Sequence, residues 1–255
     1  MGNQTLGRGE IHFSLFKTGT QTPSGFRYLG NTPEFNVTLE NETLDHFSSD
    51  RGIREKDKSI VLETTATGSL TCDDIQLDNL ALFFFGSTST LVQTSATAAT
   101  ETFTDVIAGH SYQLGIGDSN PTGVRSVSNV VVEVASTPMT VTTDYTVDAE
   151  LGIITIVDGG GIVTGDDVEV TYDRAAKSRE QVISGTSQVE GALRFISYNP
   201  EGDKMDYYLP YVKLAPNGDF ALKSDEWQQL PLTVEILKGT SRERIYIDGR
   251  PFTAA

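Results

Sequence analysis

Apolar and polar side chains alternate most clearly over residues 33–40, where Phe35, Val37 and Leu39 are interleaved with Glu34, Asn36, Thr38 and Glu40. A period of two places the first set on one face of a β-strand and the second on the other, one buried and one wet. The same period marks residues 10–16, where Ile11, Phe13 and Leu15 alternate with His12 and Ser14. Over residues 41–58 the alternation gives way to a polar run with both charges interleaved: Asp45, Asp50, Arg51, Arg54, Glu55, Lys56, Asp57 and Lys58. This run reads as a loop. A structureless connection longer than roughly 12 residues is uncommon inside a domain, so it either docks on a partner or is solvated. A second strand follows, with Leu62 on the apolar side and Glu63, Thr65 and Thr67 on the polar one.

One helix is predicted after it. Thr71 is placed to cap its N-terminus, with Asp73 and Asp74 in the first turn near the positive end of the dipole. Ile75, Asn79 and Leu82 recur at i, i+4 and i+7, with Leu77, Leu80, Ala81 and Phe84 on neighbouring lines, and Gly86 suits a left-handed position just past the end. Apolar residues on nearly every side of residues 80–85 require burial from more than one direction. Ile75, Leu80, Leu82 and Phe84 are therefore expected to pack on a sheet or against a neighbouring subunit.

The remaining pattern is short strands and turns. Residues 192–198 and 205–209 flank an N-P-E-G-D-K turn containing Asp203, A-P-N-G-D at 215–219 is another turn, and 228–237 and 244–247 are the last strand candidates. In the middle, a Ser/Thr/Ala-rich stretch over 87–104 leads into strands at 112–116, 128–135, 153–157 and 167–172, broken by D-G-G-G and T-G-D-D turns. The fold class that follows is all-β with one short helix. One split β unit over residues 1–86 and 184–255 is interrupted by a small inserted, immunoglobulin-like β-sandwich over 87–183.

Residues 30–86 resemble the tail tube (major tail) protein family of long-tailed, siphovirus-type bacteriophages. In that family a G-x-x-P-E-F-x-V strand, a D-H-x-S-S-x-x-G loop, a second strand and an L-T-x-D-x-L-x-x-x-N-L-A-L helix closed by glycine follow one another. The matching residues are Gly30, residues 33–37, Asp45, His46, Ser48, Ser49, Gly52, Leu70, Thr71, Asp73, residues 79–82 and Gly86. A second matching block runs over residues 191–237, and the two blocks together cover well over half of the chain. The long segment between them departs from smaller relatives, and nothing about it carries over.

The resemblance implies a non-enzymatic virion protein of the phage tail, assembled in the bacterial host cytoplasm. The domain over 1–86 and 184–255 would be a β-sandwich or partial barrel flanked by the helix, six copies would close their sheets into a ring around a bore, and rings would stack head to tail into a tube through which double-stranded DNA passes, with other tail proteins as further partners. The charged loop (Asp45, Asp50, Arg51, Arg54, Glu55, Lys56, Asp57, Lys58) would then dock on the adjacent ring. The wet strand faces (Glu34, Asn36, Thr38, Glu40, Glu63, Thr65, Thr67) would line the bore, although a wet face and a bore-lining face look identical in periodicity. The insertion would decorate the outside and is a candidate for weak surface-glycan contact. A related distal or terminator ring, and a carbohydrate-binding or adhesive virion protein using Tyr207, Tyr208 and Tyr211, are the alternatives.

Charge adds a constraint. The chain carries 19 basic and 35 acidic residues, a net −16, which argues against a nucleic-acid groove built from Lys and Arg. Residues 87–183 hold 13 acidic and 4 basic residues, so over half of the excess sits in the insertion. No apolar run approaches the 18 or so residues of a membrane span, and MGNQTLGRGE lacks the order of a signal peptide, so a soluble chain made in a cytoplasm is expected.

Candidate chemistry is sparse, and no cofactor is expected. His12, His46 and His110 are scattered, and neither a phosphate loop nor G-x-S-x-G occurs. Aspartates 144, 148, 158, 166 and 167 lack calcium-loop spacing and fit turns better. Asp225 and Glu226 would need to face each other across a cleft to act as an acid–base pair. Trp227, the lone tryptophan, reads as a core or interface anchor. Cys72, the lone cysteine, is either a thiol activated at a helix N-terminus or, far more commonly, an inert packed side chain.

Overall fold

The computed structural model describes residues 4–50 and 52–250. It is all-β with one short helix, in several sheets, none of them closed. In chain order the elements are β1 (Gly9–Leu15), β2 (Arg27–Tyr28), β3 (Glu34–Ser48), β4 (Glu55–Cys72), α1 (Leu77–Phe83), β5 (Ser87–Gln93), β6 (Ala96–Phe103), β7 (Ser111–Gln113), β8 (Val127–Val134) and β9 (Thr137–Pro138). Then follow β10 (Tyr145–Asp148), β11 (Ile153–Ile156), β12 (Val168–Arg174), β13 (Lys177–Ile183), β14 (Val189–Ser197), β15 (Met205–Pro216), β16 (Leu230–Ile236) and β17 (Tyr246–Gly249). Two compact units result, Met1–Thr88 with Val182–Ala255, and Ser89–Gln181. The division falls inside β5 and β13, which pair with each other.

The first unit is an eight-stranded sheet in the order β2-β1-β14-β15-β16-β4-β3, with β17 added beside β15. Alternation puts Ile11, Phe13, Leu193, Leu209, Leu214, Leu232, Val234 and Leu70 on one face, all buried. The sheet rolls over this face. Phe35 of β3 meets Phe195 of β14, ring centroids 6.4 Å apart, although three strands intervene in the ladder. Past β2, the Leu29 carbonyl accepts from Cys72 Sγ (3.1 Å) and Asn79 Nδ2 (2.7 Å), and the Asn31 carbonyl accepts from the Asp73 amide (3.1 Å). The segment after β2 is thus tied to the end of β4 and to α1 by isolated polar bonds rather than by a strand ladder.

α1 packs on β15 and β16 and plugs the roll with Leu82 and Phe83. It begins later than predicted. Thr71 and Cys72 end β4, because their backbone is held in register with Pro231 and Leu230 of β16, and the residue flanking the helix start is Gln76, which makes no side-chain cap. Asp78 is the acidic residue of the first turn. Leu82 is buried, Ile75 and Leu80 are half-buried against the core, and Phe84 is partly exposed at the C-terminal end. The left-handed residue after the helix is Phe85 (φ 50°), not Gly86. Gly86 serves close approach instead, since a Cβ there would run into the Ile183 carbonyl. Cys72 is buried and desolvation pushes its thiol pKa up, so the inert reading holds.

The second unit is a sandwich of a three-stranded sheet (β10-β11-β7) and a four-stranded sheet (β6-β12-β8-β9). Tyr145, Ile154 and Ile156 from one and Val132, Val168, Val170 and Tyr172 from the other meet in its core. Its aspartates terminate turns: Asp144 accepts from the Thr140 and Gly161 amides, Asp148 from Leu151, and Asp166 from Val163.

Asn79 ties α1 to the segment after β2, donating also to the Asp74 carbonyl (2.9 Å) from a buried position. Asn79→Ala is expected to lower stability by about 1–3 kcal/mol, read as a shift of the urea midpoint with an unchanged slope.

Candidate functional site

The segment expected to be a charged loop is a β-hairpin. β3 and β4 pair in antiparallel register from Glu34↔Thr71 out to Ser48↔Glu55, so only residues 49–54 remain for the turn. Cross-strand pairs account for this: Asp45 Oδ1 accepts from Lys56 Nζ (2.7 Å) and Ser59 Oγ (2.6 Å), His46 Nδ1 lies 2.6 Å from Asp57 Oδ1, and Arg54 sits over the Phe47 ring at 5.1 Å. The lysine and hydroxyl hold the Asp45 carboxyl below its ordinary pKa. Of the loop candidates, Asp45, Lys56 and Asp57 are engaged within the hairpin. Asp50, Arg54, Glu55 and Lys58 are exposed along its outer part, and Arg51 lies outside the described residues.

Only the base of this hairpin belongs to the large sheet. β16 pairs with residues 67–72 of β4 and no further, so β4 before Thr67 has β3 as its only strand partner among the described residues. From Leu39 to Ser48, ten residues at about 3.3 Å each, a two-stranded arm some 30 Å long runs beyond the core. β3 itself has a ladder on one side only.

The two faces of the arm base differ sharply. Opposed residues share a face, so Glu34, Asn36, Thr38, Glu40 and Glu42 stand beside Thr71, Ser69, Thr67, Thr65 and Glu63. All seven predicted bore-lining residues are therefore brought together on one wholly polar face. It continues through Thr233 and Glu235 of β16 to Lys213 of β15, which pairs with Glu190 at 3.2 Å. Glu34, Glu40, Glu42 and Glu63 form no ion pair among the described residues.

The opposite face was expected to be core throughout, and the structure corrects this. Phe35 is half-buried, but Val37 is 41% and Leu39 64% exposed. The reason is topological: the row leaves the roll where β16 stops, and no described residue covers it. A register shift at Glu42/Thr43 leaves Leu62 as an extra residue on β4. Beyond it Leu44 and Ile60 stand opposite each other on the side of Glu40 and Glu42, so the arm carries exposed apolar side chains on both faces, with Leu62 and Ile53 also exposed.

Other candidates disperse. Tyr207 packs toward the core against Phe195, Tyr208 lies beneath Arg194 on the other face, and Tyr211 meets Phe16, so the three tyrosines make no single platform. Asp225 and Glu226 are exposed neighbours on one loop. Among the described residues, no group of three or more His, Cys, Asp or Glu side chains could hold a metal ion. Trp227 is 92% exposed and Leu222 82%, which removes the core reading of the tryptophan. The sequence carried no signal for that, because a wet tryptophan looks like a buried one in composition.

The chain belongs to the family described as Protein of unknown function UCP028589. The family model matches residues 4–245, which takes in both units. No curated protein matches the chain.

Because Leu39 and Ile60 already face solvent, the Leu39→Asp/Ile60→Asp double variant is expected to keep the stability of the isolated chain within about 0.5 kcal/mol per site. Urea unfolding of a dilute sample checks this. A loss several times larger would place the arm inside a packed core.

Proposed function

We propose that the chain is the repeating unit of a phage tail tube: a non-enzymatic virion protein whose copies join sheet to sheet into a hexameric ring and whose rings stack around a channel for DNA. The observation that carries this reading is β3, a fifteen-residue edge strand with no second strand partner among the described residues, whose apolar row runs out of the core into water. Edge strands of this length and character are normally shortened, charged or covered, because they template pairing with another chain. An isolated two-stranded arm is also marginal in water. Pairing with a neighbouring copy satisfies the edge, and the same copy packed across the face of the arm covers Val37 and Leu39.

The polar face supports the second half of the reading. Four glutamates without paired cations, set among threonines, serine and asparagine, offer DNA nothing to hold. Phosphates are bound through Lys and Arg and are repelled by carboxylates. Ring closure brings six such faces together at a cost in like-charge repulsion, which salt relieves as the Debye length falls from about 10 Å at 0.1 M to about 3 Å at 1 M.

Electron microscopy and sedimentation of the purified full chain across concentration and salt test the proposal. Hollow rings or tubes, favoured by raised salt, are expected. A monomer under every condition, or filaments without a lumen, would contradict it.

A further inference from the structure

An open strand edge needs a partner edge, and the first unit offers a second one. β17 pairs with β15 alone, and its far edge has no strand beside it among the described residues. All four of its residues are exposed. β2, at the end of the sheet order, is only two residues long and runs into Leu29, which is buried and tied to Cys72 and Asn79, so it offers no ladder of useful length. The two faces of β17 follow from its register. Ile247, 55% exposed, stands opposite Tyr207 on the core side, and Tyr246 and Asp248 stand opposite Tyr208 and Asp206 on the other. The alternation continues past both ends of the strand. Ile245 packs half-buried against the core, and Arg250 reaches Asp206 on the opposite side at 2.7 Å. Arg244 and Arg250 therefore flank β17 on its polar face, each three residues from Ile247. On β3, Glu34 and Glu40 lie three residues either side of Val37 on the polar face.

We infer that β3 of one copy pairs antiparallel with β17 of a second copy, Val37 opposite Ile247. This pairing rests on the assembly reading above and deepens it by naming the second strand. In that register Leu39 stands opposite Ile245 and Phe35 opposite Gly249, so the apolar rows of the two copies run side by side on one face. On the other face Glu34 meets Arg250, Glu40 meets Arg244, and Asp248 falls opposite the neutral Asn36. The match belongs to this register. Sliding β3 by two residues in one direction sets Glu34 against Asp248, and in the other it leaves Arg250 opposite Asn36 and Glu40 opposite Tyr246. Directly opposed like charges destabilise a ladder and opposite charges support it. The groups are free to respond: Glu34, Glu40 and Arg244 form no ion pair among the described residues, and Glu34 accepts only from Asn36 of its own strand (2.6 Å). Arg250 already neutralises Asp206, which removes the other carboxylate beside the contact. Main-chain bonds along the added strand supply affinity, and the alternating side chains select the partner.

Disulfide trapping in the full-length chain tests this. Cys72, the one native thiol, is buried, so cross-links report introduced cysteines. At an assembling concentration the Val37→Cys/Ile247→Cys double variant is expected to form covalent multimers, while neither single variant does. Cross-linking of Val37→Cys alone would set β3 against β3, and an assembled double variant without cross-links would set some other strand there. Either result would overturn the inference and leave the tube reading standing. Charge reversal gives a check independent of sulfur. Glu40→Arg and Arg244→Glu should each raise the concentration at the midpoint of assembly about tenfold by sedimentation, leave the urea midpoint of the monomer in place, and restore assembly when combined. Reversals that fail to rescue each other would overturn the inference as well. Covalent dimers that never extend would keep the pairing and contradict the tube. A wild-type chain that never assembles would overturn both.

Discussion

Backbone hydrogen bonding sets the terms for this protein. Every strand has two edges, and each buried or apolar-flanked amide and carbonyl needs a partner. In the large sheet that need is met ladder by ladder from β2 to β4 and then stops at β3, along its full length. The same strand carries the end of the core's apolar row. The open edge lies in the plane of the sheet and the uncovered row on its face, so a second chain must both pair along β3 and pack across that face.

The closure that the molecule does achieve explains why the edge stays open. The roll brings Phe35 to Phe195 and ties Leu29 to Cys72 and Asn79, but it does so through side chains and single bonds. A ladder from β3 back to β1 or β2 at the other end of the sheet would close it and remove the edge, and none is formed among the described residues. The second unit, by contrast, buries its core between two facing sheets and keeps its aspartates in turns.

Strand alternation and turn chemistry were legible in the sequence. Ile153–Ile156, Val168–Arg174 and Gly9–Leu15 lie where the period of two placed them, and the inserted sandwich is built from such runs. The hairpin arm was not legible, because its alternation is broken by the extra residue at Leu62 and its outer pairs are charged. Asp45 with Lys56 reads as loop composition until the two are seen opposite each other. The helix start was misplaced because Thr71 and Asp73 satisfy capping chemistry locally, while pairing with β16 decides the backbone. Whether Val37 and Leu39 are buried depends on how far β16 extends, which no local pattern encodes. Nor does any pattern distinguish a tryptophan left in water from one in the core.

Hydrogen exchange of the β3 amides, followed in dilute and in concentrated full-length protein, tests the edge claim most directly. Amides of residues 34–42 that do not face β4 should exchange as open groups in the dilute chain and gain strong protection on association, together with no comparable change in the strands of the second unit. Equal protection of those amides at every concentration would mean that β3 is already satisfied within one chain, and the account would be wrong.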